Sequence, residues 1–227
     1  MIWPFDDTTR RNIAARCAAF ARLPASEPAL GLKRAAVAIA LVEAGGVGSG
    51  TALLLTLRAA GLRSHRGQWA LPGGRCDQGE TPVEAALREL HEELGLELGA
   101  GDVLGLLDDY PTRSGYLITP VVVWAKAGGA ISPNPEEVAS VHRIALGEIE
   151  RADAFDFTAI PESTRRVIRF RHAGRFIHAP TAALIYSSAK CWRGAIPAWP
   201  NWNNRCSPGS RPLIVIASQR VARMRAR

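Results

Sequence analysis

Gly74-Arg75-Cys76-Asp77-Gln78-Gly79-Glu80-Thr81-Pro82-Val83-Glu84-Ala85-Ala86-Leu87-Arg88-Glu89-Leu90-His91-Glu92-Glu93-Leu94-Gly95-Leu96 reads as a glycine-led loop running into a helix. Thr81 can cap that helix, Pro82 suits its first position, and Glu84 completes a capping box. Val83, Leu87, Leu90 and Leu94 recur at i, i+4, i+7 and i+11, which predicts an apolar face against a core, and Gly95 ends the helix. Glu89 and Glu93 are four apart and Glu92 is three from Glu89, so three carboxylates share one face.

Such crowding costs a helix roughly 0.2–0.5 kcal/mol per like-charged pair, so a cationic partner is expected. Arg88 stands four residues before Glu92 and can hold one carboxylate, but a single arginine does not balance Glu84, Glu89, Glu92 and Glu93. Hard divalent cations, Mg²⁺ or Mn²⁺, suit clustered carboxylates and keep room for water and phosphate. Gly73 and Gly74 let the backbone come close to a metal or a phosphate. A solvated acidic helix face is the plainer alternative. The fixed register of glycine, arginine and glutamates weighs against it.

Outward from this stretch, Asp6-Asp7-Thr8-Thr9 offers an N-cap, and Ile13, Cys17 and Phe20 predict a helix that Pro24 stops. Lys33–Glu43 and Thr51–Leu57 read as paired strands around a Gly-rich turn, and Arg58–Gly74 as a long polar functional loop. Val103–Leu107 and Ile118–Ala125 are strand-like. Pro135-Glu136-Glu137-Val138 begins a helix or turn, and Leu146–Arg151 a short helix. Strands alternating with a few helices predict α/β layers.

The quoted stretch resembles the Nudix box, G-x5-E-x7-R-E-U-x-E-E-x-G-U with U aliphatic, the signature of Nudix hydrolases, and every fixed position matches over Gly74–Leu96. The resemblance implies an α/β fold, an α/β/α sandwich with a mixed β-sheet, and metal-dependent cleavage of a diphosphate joined to another moiety. By position it implies Glu89 and Glu93 as the main metal ligands and Glu92 as a further ligand or the base that activates water. Arg88 would orient them, and the Gly73 carbonyl would be an extra ligand. The implied cofactor is Mg²⁺ or Mn²⁺.

Upstream, Leu54-Leu55-Thr56-Leu57-Arg58 leads through Arg63 and Gly67 to Leu71-Pro72-Gly73-Gly74. This is similar to the motif of coenzyme A diphosphatases within the family, roughly L-L-T-x-R, a small-residue stretch, then R-x3-G-x3-F-P-G-G. Leu71 stands where Phe is usual, and Gly61 interrupts the small-residue stretch. The similarity implies coenzyme A or a related nucleotide as the small-molecule substrate, with Arg58, Arg63 and Gly74 as binding residues. Guanidinium forks suit its phosphates. Asn134-Pro135-Glu136-Glu137-Val138 resembles a region where such enzymes place another acid near the metals, which makes Glu137 a catalytic candidate; a helix N-terminal carboxylate is the plainer reading.

The organisation expected is an N-terminal helical segment (1–30), a hydrolase domain (31–186) with Arg175–Leu184 starting its closing helix, and an atypical basic tail (187–227). The chain has 227 residues, 47% hydrophobic and 22% charged, with no apolar run of membrane-spanning length. Its net charge of +7 divides sharply: residues 1–162 carry 15 basic and 21 acidic side chains, whereas 163–227 carry 13 basic and no acidic ones. An arginine- and tryptophan-bearing tail could bind single-stranded nucleic acid, but no binding-module pattern accompanies it and a poorly ordered basic tail is the preferred reading. Four widely spaced cysteines and an acidic start without a secretory pattern predict reduced thiols and a cytoplasmic location. The oligomeric state stays open, a homodimer included.

Overall fold

The computed structural model describes residues 3–23, 29, 31–45, 50–62, 66–126, 130–160 and 163–193. Helix α1 (Asp7–Ala18) begins at Asp6, whose Oδ1 accepts the Thr9 amide at 2.7 Å. Strands β1 (Lys33–Glu43), β2 (Thr51–Arg58), β3 (Trp69–Ala70) and β4 (Gly73–Arg75) precede helix α2 (Pro82–Leu94). Then come β5 (Val103–Leu106), β6 (Tyr110–Pro111), β7 (Tyr116–Trp124), β8 (Val138–Ala145) and the short α3 (Leu146–Ile149). The described chain ends with β9 (Phe155–Ile160), β10 (Ser163–His172), β11 (Arg175–His178), α4 (Thr181–Ser188) and α5 (Lys190–Arg193).

β1 to β8 form one mixed sheet in which β1 and β7 run parallel from Lys33↔Tyr116 to Leu41↔Trp124, with the other pairings antiparallel. Alternate residues of its inner strands are buried on opposite faces. Ala36, Ala38, Ala40, Leu54, Val121 and Val123 face α2, and Ile39, Leu41, Leu53, Leu55, Val122 and Trp124 face the other way. Both faces are covered, which is why these strands read as continuous apolar runs. The α2 layer is built small on small, Ala85 and Ala86 over the β1 alanines, so the helix lies close to the sheet. Leu90 and Leu94 are fully buried as the periodicity predicts, whereas Val83 and Leu87 pack at the rim. The opposite layer combines α1, α4 and α5 with a three-stranded sheet, β9 to β11, around Phe155, Phe170 and Ile177.

The α/β/α expectation therefore holds with an addition, because the second outer layer carries a small sheet beside its helices. Two local expectations are corrected. The segment read as one loop supplies β3, which pairs with β2, and the start of β4, which takes the start of β1, so that β1 and β2 pair as expected but only over Leu41–Glu43 and Thr51–Leu53. The closing helix also begins later. Ala173 and Gly174 both hold positive φ, at 47° and 72°, a two-residue hairpin turn that makes Arg175–His178 the partner of β10. Helix starts only at Thr181. Residues 187–193 finish α4 and form α5, with Cys191 and Trp192 buried; the tail from 194 onward lies outside the described residues. Among the described residues no helix is long and apolar enough to cross a membrane.

Candidate active site

The two glycines at β4 are fixed by close approach. Gly73 has φ +153°, and a Cβ there would stand 2.3 Å from the Ala36 carbonyl oxygen and 2.7 Å from Val37 Cα. A Cβ on Gly74 would lie 2.0 Å from Glu89 Oε1. Any side chain at Gly74 would thus occupy the space of the Glu89 carboxylate, which rests against the backbone. Helix α2 supplies that glutamate in register. Thr81 Oγ1 accepts the Glu84 amide at 3.3 Å, Glu84 Oε2 accepts the Thr81 amide at 2.8 Å, and Gly95 closes the helix with φ +67°.

Arg88 organises the exposed side of the cluster. Its Nε and Nη2 donate to the two oxygens of Glu80 at 2.9 and 3.1 Å, its Nη1 to Glu89 Oε1 at 3.0 Å and Glu92 Oε2 at 2.9 Å, and its Nη2 also to the Arg75 carbonyl at 3.0 Å. A guanidinium has five N–H groups, and each has an acceptor here. The sequence spacing offers Arg88 one carboxylate, Glu92; in the structure it holds three, Glu80, Glu89 and Glu92. Glu80 has no role in the expected site, yet it occupies a fixed position of the motif and anchors the guanidinium.

Glu93 is nearly sealed, with only 2% of the residue exposed. Its Oε1 lies 3.4 Å from Arg58 Nη1, across from the end of β2, while its Oε2 and Arg58 Nε are both buried without a hydrogen-bond partner. Burial pushes the Glu93 carboxyl up to about 8; Arg58 and the Gly73 amide oppose this, and Glu89 and Glu137 add to it. Burial also raises Glu89, against the pull of Arg88, with Glu92 and Glu137 repelling. Glu137 therefore lies within electrostatic reach of both. It is placed by a loop that docks on the end of α2: Ser132 and Asn134 amides donate to the Leu94 and Glu93 carbonyls at 2.9 Å each, and the Glu137 carbonyl accepts the Ala59 amide at 2.8 Å.

The structure thus gathers Gly73, Gly74, Arg88, Glu89, Glu92, Glu93, Glu137 and Arg58. Arg58 meets Glu93 rather than projecting as a free cation. Arg63 lies outside the described residues. Cys76 is half-buried, with its amide on the Arg34 carbonyl and its thiol raised by burial. Among the described residues no three His, Cys, Asp or Glu side chains stand together as a finished metal cluster, because arginines divide the carboxylates between them. A divalent cation nonetheless fits this donor set. The oxygens are hard, the Glu93 Oε2 atom is buried and unsatisfied, and Gly74 leaves Glu89 against the backbone.

The family profile described as NUDIX domain matches residues 32–163. A Photorhabdus laumondii protein described as uncharacterized Nudix hydrolase NudL is 35% identical over 141 residues, 61% of this chain and 75% of that one. Its Yersinia enterocolitica namesake is 38% identical over 136 residues, 59% of this chain and 70% of that one. Among solved structures, a MutT/nudix family protein from Enterococcus faecalis superposes with a TM-score of 0.46 at 18% identity, covering 82% of this chain and 72% of that one.

Proposed function

Because the chain belongs to the NUDIX family of hydrolases, which act on nucleoside diphosphate derivatives and generally use divalent metals, we propose that it cleaves the diphosphate of coenzyme A or its derivatives. Water is consumed, one P–O bond of the bridge breaks, and the products are 3′,5′-ADP and 4′-phosphopantetheine. The observation that carries this reading is the 3.4 Å contact between Arg58 and Glu93. It brings the arginine of the upstream coenzyme A-like motif to the carboxylate end of the hydrolase helix, so the two motifs form one site.

Glu89, Glu93 and Glu92, with the Gly73 carbonyl, would hold Mg²⁺ or Mn²⁺. Such a cation, when bound there, would neutralise diphosphate oxygens and lower the pKa of a bound water. The chain's own residues do the rest. Arg88 holds the Glu89 and Glu92 carboxylates through its Nη1 donors, while Nε and Nη2 anchor the guanidinium on Glu80 and the Arg75 carbonyl. Arg58 offsets the Glu93 charge from the buried side and presents a guanidinium beside the phosphates. Glu92, with half its side chain exposed, accepts the proton of the attacking water. Glu137 adds negative charge that favours a cation in the pocket.

The test is a substrate panel with each metal: coenzyme A, ADP-ribose, a dinucleoside polyphosphate and an oxidised deoxynucleoside triphosphate. The expected result is 3′,5′-ADP and 4′-phosphopantetheine from coenzyme A at the highest kcat/KM, and loss of turnover in a folded Glu93→Gln variant. Faster turnover of another substrate overturns the coenzyme A assignment, and full activity of Glu93→Gln overturns the site.

A further inference from the structure

Cys17 and Cys191 come from opposite ends of the described chain and meet behind the sheet. Cys17 is 5% exposed on α1 and Cys191 is 1% exposed on α5, both in the core layer away from α2. Neither is in a disulfide, and a side-chain hydrogen bond joins the two thiols. Arg16 Nη1 donates to the Trp192 carbonyl at 2.5 Å, so neighbouring residues of the two helices meet as well. On its other side Cys17 is backed by β5, since a Cβ on Gly105 would stand 2.7 Å from Cys17 Cβ. The thiol is held where it is. Neither cysteine touches the carboxylate site, and both lie outside the matched residues 32–163.

We propose that Cys17 and Cys191 are a redox site whose oxidation forms a disulfide tying α1 to α5. A peroxide is the oxidant. The hydrogen bond from Cys191 favours the thiolate at Cys17, which attacks one peroxide oxygen; the O–O bond breaks, water leaves and Cys17 becomes a sulfenic acid. The Cys191 sulfur then attacks the Cys17 sulfur, the S–O bond breaks and a second water departs. Two electrons pass from the thiols to the peroxide, and both thiol protons leave in the two waters. α5 is only four residues long, so local opening of this short helix would cost little and would admit a small peroxide to the buried pair.

The consequence is mechanical. The bond closes a ring around nearly the whole described chain, restricting the unfolded state more than a local bridge would, although the effect grows only logarithmically with ring length. It does so on the face opposite α2, so the hydrolytic site is not rearranged.

To test this, full-length protein is treated with hydrogen peroxide, alkylated with iodoacetamide in denaturant and digested with trypsin. Trypsin places Cys17, Cys76, Cys191 and Cys206 on separate peptides. The expected product is Cys17-Ala18-Ala19-Phe20-Ala21-Arg22 joined to Cys191-Trp192-Arg193 at about 2 Da below the sum of the two reduced peptides. Tm of the oxidised protein should rise by about 5–10 °C over the reduced form. That rise should vanish in Cys17→Ser or Cys191→Ser, and hydrolysis should change less than about 2-fold. Recovery of both peptides alkylated, or of Cys191 joined to Cys76 or Cys206, overturns the proposal; the peptide result needs no variant to fold.

Discussion

Gly74 and Arg88 show how single residues set the site's geometry. In Gly74→Ala the new methyl carbon would stand 2.0 Å from Glu89 Oε1, far inside contact distance. The carboxylate has to swing away, while β4 keeps its pairing with β1. The expected outcome is a fall of about 100-fold or more in kcat/KM with Tm lowered by only a few degrees, read by steady-state kinetics and thermal melting. Arg88→Lys removes the fork while keeping the charge. An ammonium has three donors on one atom against the five that Arg88 spreads over its fork, so the two Glu80 oxygens, Glu89, Glu92 and the Arg75 carbonyl cannot all be held. Activity should drop about 10–100-fold and should not be rescued by more metal. A lysine variant with wild-type kcat would show that charge alone suffices at this position.

At the scale of elements, α2 was legible in the sequence because its signals are local: a capping box, an apolar period and a left-handed glycine all act within a few residues. Glu93 finding Arg58 was not legible, because the two are 35 positions apart and meet only after β2 and α2 pack on one sheet. β3 and β4 were hidden for a related reason. Two or three residues carry no period, and their pairing is decided by the strands they join. The Phe155–His178 sheet was missed although its Ala173-Gly174 turn is written in the chain. Its β10 strand buries the adjacent residues Val167 and Ile168 just after an irregularity in its pairing with β9, breaking the expected alternation.

That small sheet meets the main one at a cluster of rings. Trp69 on β3 lies 4.5 Å from the His142 ring and 5.7 Å from the His172 ring, and the two histidines are 6.2 Å apart. Ser140 Oγ is 2.8 Å from His142 Nε2, and Glu148 Oε1 is 2.7 Å from His172 Nδ1. Burial, and then His172, hold His142 below its ordinary value of 6.5. A histidine with a lowered folded pKa binds fewer protons in the native state than in the unfolded one. Its contribution is therefore present above about 6.5 and is lost as pH falls through the folded value. Wild-type Tm should drop more steeply between pH 7 and 5 than that of His142→Gln, which cannot protonate. Parallel Tm curves across that range would remove His142 from the acid response.

At the scale of the molecule, the sheet separates two cores that differ in what they touch. Ile13 of α1 and Leu90 of α2 are both fully buried, on opposite faces. Truncation of either to alanine should cost about 2–5 kcal/mol in stability, since each leaves a cavity among packed neighbours. Their effects on turnover should part company. Leu90 directly follows Glu89 and belongs to the helix that aims Glu89 and Glu93, so a cavity beneath it lets that helix settle and shifts carboxylates whose placement against Gly74 leaves no slack. Ile13 bears only on the far layer. In Ile13→Ala, kcat/KM measured well below the melting temperature should stay within about 2-fold of wild type, whereas Leu90→Ala should lose about 10-fold or more under the same conditions. Chemical denaturation gives the stability cost and kinetics the functional one. Equal losses of turnover in both variants would mean that the sheet transmits strain between its faces and that the hydrolytic site is not carried by the α2 layer alone.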